Sequence, residues 1–249
     1  MKFFVLIILF SLVFSLSSSA QDTLYAYAES GLVLRAEAHS AGEKLDLIPF
    51  GEALVASDEY GEEVLAVELL PAVMPPAEFN GGKSALPYRI HSRYVAVEYK
   101  GQRGFVYAGY LCRYPATLGE DANDGELLRW LRASTASADT LVDGDPQHGG
   151  RPRMIHFGED ICYRVLDVDG GTGEAVILPA GTLREGYLIA NHLYNLEANS
   201  RWQQLPDGDE KMTFLLKASD AKLEFHSLNG STTIEVVAGM LIISWEWSC

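Results

Sequence analysis

Residues 94–107 have the sequence Tyr-Val-Ala-Val-Glu-Tyr-Lys-Gly-Gln-Arg-Gly-Phe-Val-Tyr. Two apolar-rich runs, 94–99 and 105–107, stand on either side of a short segment that contains Gly101 and Gly104. Apolar alternation around a Lys-Gly pair is typical of a β-hairpin. The stretch therefore predicts two antiparallel strands that are closed by Lys100 and Gly101.

The residues that precede this hairpin also predict strands. Apolar and other residues alternate in short runs bounded by Gly, Pro and Asp, which is the pattern of half-buried strands. These runs are residues 24–27, 31–35, 44–52 and 53–56. The first half of the chain is thus expected to form a small β domain.

Three segments of this half carry a family resemblance. They are Gly31-Leu-Val-Leu-Arg35-Ala36, the run from Leu45 to Gly51-Glu52, and Val97-Glu-Tyr-Lys-Gly101-Gln-Arg-Gly104-Phe-Val-Tyr107 with Tyr110-Leu111. In this order they resemble a bacterial SH3 domain of the cell-envelope kind over residues 22–115. Such domains have G-L-N-L-R, then L-x-x-G-E-x-V, and end with V-x-Y-x-G-x-x-G-Y-V and a Y-L. The resemblance implies an SH3-like β-barrel that binds peptides or cell-wall material without catalysis.

The chain departs from the family pattern at two places. Val33 stands where the family usually has Asn, and residues 62–93 are longer than the family core requires. Prolines and paired glycines in this stretch predict a long inserted loop of functional or disordered character.

Five tyrosines are candidate ligand-binding residues in the SH3-like part. A phenol ring is amphipathic and suits the rim of a binding groove, whereas the alternative for each ring is a place in the core. The five are Tyr25, Tyr27, Tyr99, Tyr107 and Tyr110.

Residues 1–20 predict a secretory signal peptide. Lys2 precedes an apolar run, and Ser18 and Ala20 offer the small side chains that signal peptidase accepts ahead of Gln21. The mature protein is therefore expected to be exported, either periplasmic or extracellular. No later apolar run reaches the length of a transmembrane helix, so no membrane insertion is expected.

The charge of the chain disfavours one class of partner. The formal net charge is −15, and removal of the segment with Lys2 leaves −16 on the mature chain. Nucleic-acid binding depends on clustered basic residues, and the basic residues here are scattered among 34 acidic ones. A nucleic-acid partner is not expected, whereas basic, neutral or sugar-like partners remain open.

The second half predicts a separate α+β domain over residues 119–249, after a polar boundary at 115–124. Residues 124–132 predict an amphipathic helix with Asp124 as its N-cap, and Thr182 with Glu185 forms the pattern of a capping box before a second helix. Residues 161–168 and 174–178 predict a hairpin. Four further runs predict an antiparallel meander, namely 212–216, 222–228, 232–237 and 240–247.

The chain has three cysteines, Cys112, Cys162 and Cys249. In an oxidising compartment an odd number predicts one disulfide and one free thiol, and three pairings are open. We favour a bond that involves Cys162. No cysteine or histidine pair stands at ligand spacing, so neither a metal nor another cofactor is expected.

The leading functional hypothesis is an exported, non-catalytic binding protein of the cell envelope. Its ligand would be a cell-wall peptide, a glycan or another envelope protein. One alternative is a diverged cysteine-dependent cell-wall hydrolase, with Cys162 as nucleophile and His192 or His226 as base. Another is an inhibitor or immunity-type protein, whose acidic charge would suit a basic partner. No motif assigns a catalytic residue, and the sequence does not indicate an oligomeric state.

Overall fold

The computed structural model describes residues 22–74, 84–119, 125–135, 139–144, 152–168, 171–200, 203–204, 210–227 and 230–248. The predicted signal peptide, residues 1–20, lies outside these ranges. Within them, no helix has both the length and the apolar character needed to cross a membrane.

The first half of the chain forms a seven-stranded antiparallel sheet in the order β3-β2-β6-β5-β4-β1-β7. A single 3-10 turn, Ala108–Tyr110, leads into its last strand. The strands are β1 (Asp22–Ala26), β2 (Leu32–Arg35), β3 (Lys44–Ile48), β4 (Ala53–Leu70), β5 (Tyr88–Tyr99), β6 (Gln102–Tyr107) and β7 (Leu111–Cys112).

The predicted hairpin at Lys100 and Gly101 is confirmed. Tyr99 pairs with Gln102, and the two turn residues have positive φ angles of 51° and 78°. A two-residue turn with both central residues in this region matches the right-handed twist of the strands. Glycine tolerates this backbone at the second turn position without steric cost.

The predicted loop at 62–93 is wrong at both of its ends. Residues up to Leu70 continue β4, and residues from Tyr88 onward belong to β5, with Val64 paired to Arg93 and Val67 to Ile90. The prolines at 71 and 87 lie just outside the strands, where a missing N–H donor breaks no ladder. The two strands form a long hairpin instead.

The second half forms an eight-stranded antiparallel sheet in the order β14-β15-β16-β17-β11-β10-β9-β8. Two helices, α1 (Glu126–Ser134) and α2 (Leu183–Tyr194), accompany it. The sheet strands are β8 (Asp139–Gly144), β9 (Pro152–Phe157), β10 (Ile161–Val168), β11 (Gly171–Pro179), β14 (Thr213–Ala218), β15 (Lys222–Ser227), β16 (Gly230–Val237) and β17 (Met240–Ser248), while β12 (Gln203–Gln204) and β13 (Glu210–Lys211) pair separately.

Several local predictions for this half are confirmed. The strands β14 to β17 are consecutive neighbours, as a meander requires, and β10 pairs with β11 as a hairpin. The capping box is present, because the Thr182 hydroxyl accepts from the Glu185 amide and the Glu185 carboxylate accepts from the Thr182 amide.

The N-terminus of α1 is stabilised from outside the helix. The predicted cap, Asp124, lies outside the described residues, and Gly125 occupies the N-cap position without a side-chain bond. The carboxylate of Glu174 on β11 accepts a hydrogen bond from the Leu127 amide at 3.2 Å. A distant acidic side chain thus satisfies one of the amides that a helix start leaves free.

The chain is mainly β, as predicted, with two antiparallel sheets and few helices. Among the described strands the first sheet has free edges at β3 and β7, so a closed SH3-like barrel is not confirmed.

One hydrophobic cluster includes residues of both halves. Tyr27, Leu70 and Cys112 from the first half lie in it together with Trp130 and Tyr187 from the second. A second cluster lies within the first sheet and includes Leu34, Ile48 and Val106. The two halves therefore meet through buried apolar side chains, while the predicted division into separately folding domains stays a prediction.

Candidate functional site

A cavity of about 690 Å³ lies between the first sheet and helix α2. One wall is formed by the segment from Tyr27 to Leu32, another by the alternate residues Leu65, Val67 and Leu69 of β4, and a third by α2. Alternate residues of a strand point to the same face, so β4 presents a continuous apolar surface to the cavity. The volume is within the range of small-molecule and peptide sites.

Tyrosine rings form most of the aromatic surface of this cavity. Tyr27, Tyr107 and Tyr110, three of the five predicted ligand-binding residues, line it together with Tyr94 and Tyr187. The ring of Tyr107 packs edge-on against those of Tyr94 and Tyr110, with centroids 6.2 and 5.9 Å away. This geometry is favourable for aromatic pairs and fixes the orientation of the rings.

Two of these tyrosines are held by backbone carbonyl groups. The Tyr27 hydroxyl donates to the carbonyl oxygen of Pro115 at 2.9 Å, and that of Tyr107 donates to the carbonyl oxygen of Ile90 at 3.0 Å. Both residues are more than nine-tenths buried. Because both hydroxyls already donate hydrogen bonds to the backbone, the part of each tyrosine that remains for a ligand is the face of its ring. Tyr110 is half-buried and is the most accessible of the three predicted residues.

The other two predicted tyrosines do not line the cavity. Tyr99 is 3% exposed and lies in the cluster of the first sheet, with the Lys100 ammonium 4.7 Å from its ring centroid. Tyr25 is half-buried and packs against the cluster that joins the two halves.

Sequence reasoning missed the other residues that line the cavity. Five of them have polar or aromatic side chains that could contact a ligand: Glu29, Tyr94, Tyr187, Asn191 and Glu197. Three of them belong to α2 or follow it, and the sequence assigned that helix only a packing role. Their contribution depends on the docking of α2 against the first sheet, for which the sequence contains no local signal.

The charged groups of the cavity are two carboxylates and one guanidinium. Arg35 is anchored, because its Nη1 donates to the carbonyl oxygen of Gly42 at 2.7 Å. Partial burial raises the pKa of Glu197, and the nearby charge of Glu29 raises it further. A second negative charge disfavours ionisation, which is why Glu29 raises the pKa of Glu197.

A ring cluster lies next to the cavity. The His192 ring on α2 is 5.0 Å from that of Phe50 and 6.0 Å from that of Tyr27. Burial lowers the pKa of His192, so the imidazole is neutral at pH 7. Its place between aromatic rings fits a packing role.

The pairing of Cys162 with His226 receives no geometric support. Cys162 lies on β10 and His226 on β15, and three strands separate them in the sheet. Four strand spacings of about 4.8 Å place the two on the order of 19 Å apart. Burial also raises the pKa of the Cys162 thiol, whereas a nucleophilic cysteine needs a lowered one.

The predicted disulfide at Cys162 is wrong, because Cys112 and Cys162 are both free thiols. Cys249 lies outside the described residues. The number of cysteines suggested a disulfide, but it contains no information on the distances between the sulfur atoms. Cys112 is buried in the core between the two halves.

No family model, no curated protein and no solved structure matches this chain. Among the described residues no group of three or more His, Cys, Asp or Glu side chains is placed to hold a metal ion.

Proposed function

We propose that the protein is an exported, non-catalytic binding protein of the cell envelope, and that its ligand occupies the cavity between the first sheet and α2. The observation that supports this best is the cavity itself, in which five tyrosines combine with apolar β4 side chains and a few polar groups. Binding sites commonly have this composition, with an apolar lining and a small number of polar groups that orient the ligand.

The ligand classes follow from the SH3-like resemblance and from the rings. Tyrosine faces pack against peptide side chains and sugar rings alike, at low entropic cost. Cell-wall peptide, glycan or a segment of an envelope protein are the proposed ligands. The SH3-like character of residues 22–115, with a departure in the extended β4–β5 hairpin, belongs to the same proposal.

A binding assay with purified peptidoglycan and with envelope extract tests the proposal. The mature protein should be retained by one of them, and Tyr110→Ser should reduce retention about tenfold because it removes the accessible ring. Tyr60→Ser is the matched control, since Tyr60 is 57% exposed on β4 and does not line the cavity. No retention on either material, or equal loss with both variants, would contradict the proposal.

A further inference from the structure

The long hairpin of β4 and β5 has one side without a neighbouring strand. β1 pairs only with the start of β4, at residues 53–56. Among the described residues, no strand pairs with residues 57–70 of β4 on the side away from β5. The same part of β4 supplies the apolar wall of the cavity with Leu65, Val67 and Leu69. An open sheet edge and the cavity wall thus belong to one strand.

The backbone groups at this edge are those of every second residue. The Tyr107 hydroxyl lies 3.1 Å from the carbonyl oxygen of Leu65 and 3.0 Å from that of Ile90, so these two oxygens are at most about 6 Å apart. Oxygens on the outer sides of the two strands would be farther apart, because the strands themselves are separated by about 4.8 Å. Both carbonyl groups therefore point into the hairpin. Successive residues of a strand direct their N–H and C=O groups to opposite sides, so the residues whose groups point to the open edge are Val64, Ala66 and Glu68.

Three other sheet edges are protected against further pairing. On β3 the Asp46 carboxylate accepts from the Leu47 amide at 2.8 Å, and on β14 the Leu215 carbonyl oxygen accepts from the Leu86 amide at 3.0 Å. The third edge, β7, has only two residues. Side-chain charges, covering segments and short strands are the usual protection of an edge, and residues 64–67 of β4 have no charge and no proline. This part of β4 is therefore suited to pairing with another chain.

Such an edge favours one class of ligand. An extended polypeptide offers alternating N–H and C=O groups at strand spacing, so it can add to an open edge as a further strand. A glycan chain has no backbone amides at this spacing. In an added strand every second side chain lies on the same face of the sheet as Leu65 and Val67, which is the face of the cavity.

We infer that the ligand is an extended segment of an envelope protein, which adds as a strand to β4 at residues 64–68 and turns every second side chain toward the cavity. The inference rests on the proposed function and names its class of ligand. Because the β4 wall of the cavity is apolar and the neighbouring tyrosines present ring faces, the side chains that face the cavity should be apolar.

Calorimetric titration of the mature protein with three forms of one hexapeptide tests the inference. The parent probe is acetyl-Thr-Val-Thr-Val-Thr-Val-amide, the second form has N-methyl groups on its three threonines, and the third has them on its three valines. Only one of these two sets of N–H groups can face β4 in an added strand. One methylated form should therefore bind at least about tenfold more weakly, through the loss of its hydrogen bonds, and the other within about twofold of the parent. This comparison requires no variant of the protein.

A variant of the edge gives an independent arm. Ala66→Pro removes an N–H group from the middle of the open edge without breaking a bond to β5, and it should weaken binding of the parent peptide about tenfold. Ala66→Thr is the matched control, because it retains the amide and threonine suits a strand, so it should keep the affinity of the unmodified protein. Both variants should keep the urea denaturation midpoint of the unmodified protein.

The outcomes separate the inference from the proposed function. Strand addition would be overturned by equal effects of the two methylation patterns, by undiminished binding to Ala66→Pro, or by a parent peptide that does not bind while peptidoglycan or envelope extract still retains the protein. Each of these results leaves the binding function in place. Absence of binding to the peptide, to peptidoglycan and to envelope extract would overturn both.

Discussion

At the scale of single residues, Glu174 links strand β11 to helix α1 in the second half. It is 6% exposed and accepts from the Leu127 amide and from the Tyr163 hydroxyl, the latter at 3.2 Å, while the Tyr194 hydroxyl is 3.4 Å away. A buried carboxylate persists because such donors replace water. The side chain thereby fixes the start of α1 against β11.

The protonation of Glu174 gives a prediction on pH. Burial raises the pKa of this carboxyl above its ordinary value, and these hydrogen bonds only partly offset the effect. A raised native pKa means that the folded state binds the proton more tightly, so this residue contributes less stability as pH rises from the ordinary to the raised value. Glu174→Gln should remove this decrease in stability with rising pH. The free energy of unfolding in urea, determined at a series of pH values from about 4.5 upward, is the measurement.

The comparison variant for Glu174 is Glu174→Ala. It leaves the Leu127 amide without this acceptor and should lower the free energy of unfolding by about 1–3 kcal/mol or more at every pH. If the stability of Glu174→Gln relative to the unmodified chain does not change with pH, the carboxyl does not titrate as described.

At the scale of elements, the parts predicted from sequence are those with local signals. The hairpin at Lys100 and Gly101 and the capping box at Thr182 and Glu185 depend on a few adjacent residues, whose backbone preferences act without help from the rest of the chain. The meander follows from strand periodicity and turn glycines.

The elements that sequence reasoning missed depend on distant partners. Residues 58–63 of β4 include four acids, which resemble a loop, yet the strand is held by pairing with β5. The cavity forms where α2 packs against the first sheet, so the sequence alone could not show that Glu29 and Glu197 line the same cavity. The SH3-like motifs pointed to Tyr107 and Tyr110 but also to Tyr99, because alternation alone does not distinguish a core face from a cavity wall.

The N-terminus of α2 gives a prediction at this scale. The Thr182 hydroxyl accepts from the Glu185 amide at 3.2 Å and donates to the Glu185 carboxylate at 2.9 Å. Thr182→Ala should lower the free energy of unfolding by about 1 kcal/mol, as the loss of an N-cap does, and Thr182→Ser should restore most of it. The denaturation midpoint in urea is the measurement, and an unchanged midpoint in the alanine variant would show that the cap is unimportant.

Glu185 extends the same contact beyond the helix. Its carboxylate also accepts from the Arg113 side-chain Nε at 2.8 Å, which ties α2 to the segment after β7. The carboxylate is almost fully buried, whereas the arginine is partly exposed. The start of α2 thus positions the helix against the first sheet, on which the cavity depends.

At the scale of the whole molecule, the question is whether the two halves fold as one. The carbonyl oxygen of Pro115 accepts from the Tyr27 hydroxyl, from the Trp130 indole at 2.9 Å and from the Ser134 hydroxyl. Trp130 is fully buried in the cluster that includes residues of both halves. A polar linker between independent domains would not be expected to collect these contacts.

The last prediction follows from this shared core. Trp130→Ala should lower the free energy of unfolding by about 3–5 kcal/mol, as large-to-small core changes do. If the two halves unfold together, the first sheet should become less stable as well. Hydrogen exchange followed by mass spectrometry should then show reduced protection of peptides from residues 94–107, although Trp130 is not in that segment. Trp247→Ala is the control, because Trp247 is 40% exposed on β17 and its removal should leave the exchange of that segment unchanged. Unaltered protection of residues 94–107 in Trp130→Ala would contradict joint unfolding of the two halves, since Trp130 and the residues of this hairpin lie in different hydrophobic clusters and a loss of protection there requires that the clusters unfold together.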